Sequence, residues 1–175
     1  MYVRMEVVGV RIEMPSNQPI VLLKEVEGSR FLPIWVGAHE ATAIAFAQQD
    51  MNPKRPLTHD LMADVLSAID ATLVAVQITG ITDGIFYSEL HLRSGEVAIN
   101  PISARPSDAI ALALRTKTNI MASTELLDEV GIDIPERVAG QVADGAGQAG
   151  QDVEMERFRE FEKEFKMKQY SKRAL

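Results

Sequence analysis

A chain of 175 residues, 46% of them hydrophobic, suffices for one ordinary domain and its appendages. Its 18 basic and 25 acidic residues leave a net charge of −7, opposite to the basic footprint of a protein that grips many duplex phosphates. With no cysteine, disulfides, thiolate metal sites and cysteine nucleophiles are excluded, which suits a reducing, cytoplasmic setting.

The first segment, MYVRMEVVGVRIEM, carries acids within its apolar run and no charged leader ahead of a long hydrophobic stretch. Neither a signal peptide nor a membrane span is expected from it. Val3, Met5 and Val7 alternate, then Val8, Val10 and Ile12, so the period of two slips at Val7-Val8 and predicts a strand bulged near Gly9. PIVLLKEVEGSRFLPIWVG adds two apolar runs around Glu27-Gly28-Ser29, which has hairpin-turn composition and completes a three-stranded meander.

After Gly37 the pattern becomes helical, with Ala41, Ile44, Ala45 and Gln48 at the spacing of a short amphipathic helix that MNPKRP ends. Thr58 is placed to cap a second helix, with Leu61, Met62, Val65, Leu66 and Ile69 as its apolar stripe and Asp60, Asp64 and Ser67 as its polar one. TLVAVQITGITDGIFYSELHLRSGEVAIN reads as a second meander, its three runs parted at Thr82-Asp83-Gly84 and Ser94-Gly95. Ser107 is placed to cap a third helix, apolar all round from Ala109 to Leu114 and therefore buried on most sides. NIMAS predicts a short last strand, and TELLDEVG a short helix from Thr124 that stops before Gly131.

Residues 1–138 are thus read as the folded domain and AGQVADGAGQAGQ, 139–151, as a flexible linker with too little apolar surface to offset the entropy of ordering it. Residues 152–175 are read as a charged amphipathic helix with Phe158, Phe161 and Phe165 at spacings of three and four. That tail holds seven basic and six acidic residues, so the −7 of the whole chain becomes −8 on the first 151. The phenylalanine stripe needs a cover, and the N-terminal strands present an edge to protect; together they predict a homodimer or larger assembly.

Two stretches echo one another, KRPLTHDL at 54–61 and SARPSDAIALALR at 103–115. The local part of the echo is structural, because a residue before proline is held extended and a hydroxyl residue can then cap the helix. That leaves the arginines and aspartates unexplained. With the acid-bearing segment GAHEATAI, they are candidates to converge as a polar cluster on one rim of the sheet. Other chemistries lack their signatures: there is no GxSxG elbow, no Walker spacing and no dinucleotide fingerprint. His39 reads as a surface residue, His91 as an ordinary exposed histidine facing away from Leu90 and Leu92, and Trp35 as packing.

LPIWVGAHEATAI, RPLTHDL, DGIFYSELHL and ARPSDAIALALR, in that order and spacing, resemble the bifunctional nuclease (DUF151) domain across about residues 3–132. The run AINPISARPSD is longer ahead of the last motif than the family pattern. The resemblance implies an α+β domain with a mixed, mostly antiparallel sheet, here two β-meanders against three or four helices, and a tendency to self-associate. It also implies a nuclease acting on DNA or RNA, with short or single strands favoured because an acidic domain does not draw in long polyanions.

Metal-dependent hydrolysis needs clustered hard oxygen ligands, an activated water and a cation for the developing charge. Glu40, Asp60 and Asp108 are the candidate ligands for Mg²⁺ or Mn²⁺ and His59 the general base or an extra ligand. Arg55 and Arg105 are the phosphate clamps, with Ser107 and Thr58 beside them as substrate-binding candidates. The alternative is a non-catalytic anion- or partner-binding oligomeric module in which each arginine pairs with an aspartate to lock helix to sheet.

Overall fold

A computed structural model describes residues 1–133; the linker and the phenylalanine-bearing tail lie outside the described residues. Met1–Ile132 forms one compact unit. Among the described residues nine strands and four helices follow in the order β1 (Tyr2–Glu13), β2 (Gln18–Glu25), β3 (Arg30–Trp35), α1 (Ala38–Gln48), α2 (Thr58–Ala68), β4 (Ala71–Thr82), β5 (Ile85–Ser94), β6 (Val97–Ala98), β7 (Ile102–Ala104), α3 (Pro106–Thr116), β8 (Asn119–Ser123), α4 (Thr124–Val130) and β9 (Ile132–Asp133). The fold is α+β with a mixed, mostly antiparallel sheet.

Both meanders are present. β1–β2–β3 is antiparallel, and the pairing of β1 with β2 slips between Val7 and Gly9, where the alternation of side chains changes phase. β4 and β5 form the long second hairpin, and both β6 and the unforeseen β7 add to β5. The sheet runs β6-β5-β4-β8-β1-β2-β3-β9. β8 therefore sits between the two meanders, parallel to β4 and antiparallel to β1. β8 covers only the start of β1, Tyr2 to Met5, while β2 pairs with Met5 to Glu13, so the far part of β1 keeps one flank without a strand partner among the described residues, as the expected edge requires.

One core holds the helices to the sheet. Val21, Leu23, Leu32, Ile34, Val76, Ile78, Ile110, Leu112, Leu126 and Leu127 are each at most 2% exposed within it. In α3 the run Ala109 to Ala113 is buried all round, as its uninterrupted apolar sequence requires. α1 and α2 each pack against α3, and the starts of the three helices come within reach of one another. No helix among the described residues is long and apolar enough to cross a membrane.

The helix starts differ from expectation. Leu57, not Thr58, occupies the cap of α2, and its backbone N–H donates to Asp60 Oδ2 at 2.8 Å. Arg105, not Ser107, occupies the cap of α3, with Pro106 in the first turn and Ser107 buried behind it. Proline suits the first turn because its missing N–H belongs to the set that has no partner within the helix. α4 does have a hydroxyl cap: Leu126 N–H donates to Ser123 Oγ at 3.0 Å. At its far end Gly131 passes so close to Leu127 that a Cβ would fall 2.3 Å from the Leu127 carbonyl oxygen.

The stripe expected on α2 is only half buried. Met62 and Leu66 meet the core together with Ala63, and His59 is buried on the same side. Leu61, Val65 and Ile69 stay 56%, 49% and 61% exposed.

Candidate functional site

Glu40, His59 and Asp108 stand in the first turns of α1, α2 and α3. Carboxylates are favoured there by the unpaired backbone N–H groups and the positive end of the helix dipole. Arg105 is held extended, at φ −69° and ψ 140°, by the proline that follows it. From the start of α3 its guanidinium spans two helices. Nε donates to Asp108 Oδ2 at 2.7 Å, and Nη2 donates to Asp108 Oδ1 at 3.0 Å and to Glu40 Oε1 at 2.8 Å. A two-point grip of this kind fixes the carboxylate plane as well as its position.

His59 completes the cluster from α2, with Nε2 3.0 Å from Asp108 Oδ1. Burial alone would raise the Asp108 carboxyl, but hydrogen bonds from Arg105 and His59 outweigh it and hold the group below the usual aspartate range. Asp108 is therefore ionised and accepts only, so the proton of the bond lies on His59 Nε2. The basic nitrogen left to His59 is Nδ1. The same contact with Asp108, then that with Glu40, raises Arg105. Arg105 nonetheless keeps 67% of its side chain exposed, against 18% for Glu40 and 25% for Asp108. It is a cation fixed at its root by carboxylates and open to solvent at its face.

Asp60, the other motif aspartate, belongs to a different contact. Arg115 Nε donates to Asp60 Oδ1, and the Leu57 N–H engages Oδ2. Burial would raise Asp60, yet these two hydrogen bonds with the Arg115 charge lower it. Arg115 Nη1 also donates to Ala43 O at 3.1 Å and Ala111 O at 2.9 Å, so one guanidinium ties α1, α2 and α3 together. Arg115 was not among the expected site residues. Its signal in the sequence is that it closes the otherwise apolar run ALALR, where a charge on a buried helix must find a partner.

Arg55 is exposed and forms no ion pair or hydrogen bond among the described residues, so it is not the partner of either aspartate. Thr58 is exposed and Ser107 buried, and neither bonds to the Arg105 cluster. His39 is exposed, as expected. His91 departs from expectation: it is only 31% exposed, Glu89 Oε2 lies 3.6 Å from Nε2, and that nitrogen is buried without a hydrogen bond. Trp35 donates from Nε1 to Glu13 Oε2 at 3.1 Å.

For a divalent ion the hard oxygens are divided. Glu40 and Asp108 meet on Arg105, whereas Asp60 is taken by Arg115. Among the described residues no three His, Asp or Glu side chains are gathered as a metal site would need. Cation binding to Glu40 and Asp108 has to compete with Arg105.

A profile of the bifunctional nuclease domain matches residues 21–135. Two uncharacterized proteins of Mycobacterium tuberculosis, Rv1829 of strain H37Rv and MT1877 of strain CDC 1551, are each similar to this chain. Each is 42% identical to it over 155 residues, covering 89% of the chain and 90% of its own length. On that match, and with the RPLTHDL and ARPSD segments meeting in space through His59 and Asp108, the chain belongs to the bifunctional nuclease domain family.

Proposed function

We propose that the chain is a cytoplasmic nuclease that hydrolyses phosphodiester bonds in short or single-stranded DNA or RNA at the Arg105–Asp108–His59 cluster. One observation carries this reading: a largely exposed guanidinium is fixed by Glu40 and Asp108 beside a histidine whose tautomer Asp108 sets. Arg105 takes the substrate phosphate and the charge that develops on it. His59, its Nε2 proton held by Asp108, receives the proton of the attacking water at Nδ1. Asp60 acts at one remove, holding the start of α2 and therefore His59 in place.

Mg²⁺ or Mn²⁺ remains part of the proposal, with Glu40 and Asp108 as the residues that would hold the ion, in competition with Arg105. The ion would supply Lewis-acid polarisation of the phosphoryl oxygen. The test is cleavage of labelled single-stranded DNA, duplex DNA and RNA with Mg²⁺, Mn²⁺ or EDTA, with Asp108→Asn and Arg105→Ala proteins purified in parallel. A loss of 100-fold or more, on the order expected for such groups, in variants that melt normally supports the reading. Wild-type rates in either variant would sink it.

A second reading is a non-catalytic anion- or partner-binding module. It is favoured by the Asp60–Arg115 contact, which braces three helices without any substrate. On that reading the wild-type protein cleaves none of the three substrates.

A further inference from the structure

We propose, on the reading of Arg105 as the phosphate-binding group, that Tyr87 is the stacking platform for one unpaired nucleobase of the bound strand. Of the four motif segments, LPIWVGAHEATAI supplies Glu40 to the Arg105 cluster, RPLTHDL supplies His59, and ARPSDAIALALR supplies Arg105 and Asp108. DGIFYSELHL, which carries Tyr87, gives the cluster no side chain but fixes the strand that leads into it. β7 pairs antiparallel with β5, Ile102 with Leu90, Ser103 with Glu89 and Ala104 with Ser88, and Ser88 Oγ donates to Ala104 O at 2.7 Å. Arg105 follows with its backbone still extended, so the next step along sets Tyr87 opposite Arg105. Residues opposed in this way share a face of the sheet, with Cβ atoms roughly 5 Å apart.

Tyr87 is 46% exposed, stands outside the core and forms no hydrogen bond among the described residues. On its other flank the register places Gly80 of β4. A tyrosine facing glycine across a sheet can fold over it to cover the bare backbone, but a Cβ built on Gly80 would have no heavy atom within 4 Å. The Tyr87 ring therefore does not lie over Gly80, and the space there is open. An exposed aromatic with a largely exposed guanidinium on one side and open backbone on the other has the two parts of a single-strand site, a cation for the phosphate and a π-face for the base. A base stacked within a duplex has no face free for the ring, which gives the preference for single strands an origin beyond net charge. Glu89, next along the same face, has 43% of its side chain exposed and repels further phosphates on that side, so one base is held rather than a run.

Fluorescence anisotropy of the full chain in EDTA, with a short oligothymidylate and with the same-length backbone lacking its bases, reads this without requiring cleavage. Both probes carry the same phosphates, but only the first can stack. Tyr87→Ala should weaken oligothymidylate binding about tenfold, within the range for one base on one aromatic ring, and leave the base-free probe unchanged. Tyr87→Phe keeps the ring face and should keep wild-type affinity for both. Gly80→Val fills the open space at a position whose Cβ meets nothing; it should melt as wild type and weaken the oligothymidylate alone. Unchanged oligothymidylate affinity in Tyr87→Ala, an equal loss on both probes, or no oligothymidylate binding by the wild type would each overturn the assignment. A wild type that shows these differences in binding yet cleaves no substrate would remove the nuclease reading and leave Tyr87 as the base platform of a binding site.

Discussion

Arg115 has only 10% of its side chain exposed and takes its carboxylate partner from Asp60. Asp60→Asn therefore leaves a poorly hydrated guanidinium without its counter-charge. The expected cost is about 2 kcal/mol, toward the lower end for a broken buried pair because Asp60 is partly solvated. This lowers the melting temperature by roughly 4–8 °C for a chain of this size, measurable by circular dichroism. Asp108→Asn faces Arg105, which stays hydrated, so it should melt within a few degrees of wild type while losing the proposed activity. Equal melting of the two variants would contradict this division of labour. Both carboxyls are held below the ordinary aspartate value. Groups lowered on folding contribute stability that is full above the unfolded value, about 3.9, and is lost as pH falls through the folded value. Acid unfolding should accordingly steepen below about pH 4, with a shallower slope in Asp60→Asn. At this scale the sequence names four of the residues that meet, Glu40, His59, Arg105 and Asp108, because motif spacing marks chemistry. It does not reveal that Asp60 pairs with Arg115, 55 positions away, because a tertiary contact leaves no local trace.

Among the elements, the helices were legible as helices, but two caps and one face were not. A hydroxyl residue after Arg-Pro looks like a cap, yet in α3 proline itself meets the geometric need of the first turn and the cap falls on Arg105 before it, whereas in α2 the cap is Leu57, after Pro56, with its N–H held by Asp60. On α2 a period of 3.6 identifies the helix without saying which of two apolar flanks turns inward; burial of His59 decides the phase. Glycines at two helix ends offer a contrast that tests the site independently of its charges. A Cβ on Gly37 would fall 2.2 Å from Glu40 Oε2, the tip of a movable side chain. Gly37→Ala should then displace Glu40 from Arg105 and reduce activity with little change in melting temperature. Gly131→Ala instead meets the Leu127 backbone carbonyl, which cannot swing aside, and should cost about 1–3 kcal/mol with no selective effect on catalysis. If Gly37→Ala melts as early as Gly131→Ala, Glu40 is not free to yield.

The whole molecule carries net charge −7, so its affinity for nucleic acid rests on a few local cations rather than on a basic surface. With one or two phosphates engaged, the logarithm of single-strand affinity should fall against the logarithm of salt with a slope of about −0.7 to −1.4. A slope of −5 or steeper, by fluorescence anisotropy, would reveal a phosphate-binding surface that the charge distribution does not supply. Both meanders could be read from alternation and turn composition, but their joining could not, because strand order depends on a five-residue segment pairing far from its neighbours in sequence. That segment, β8, fills the slot between β4 and β1. On the ribosome the consequence is one of timing. Both meanders emerge before residues 119–123, each with an open flank, and the sheet cannot close until almost all of the domain has been made. Nascent chains stalled before β8 clears the exit tunnel should remain sensitive to protease, and protection should arrive in one step rather than hairpin by hairpin.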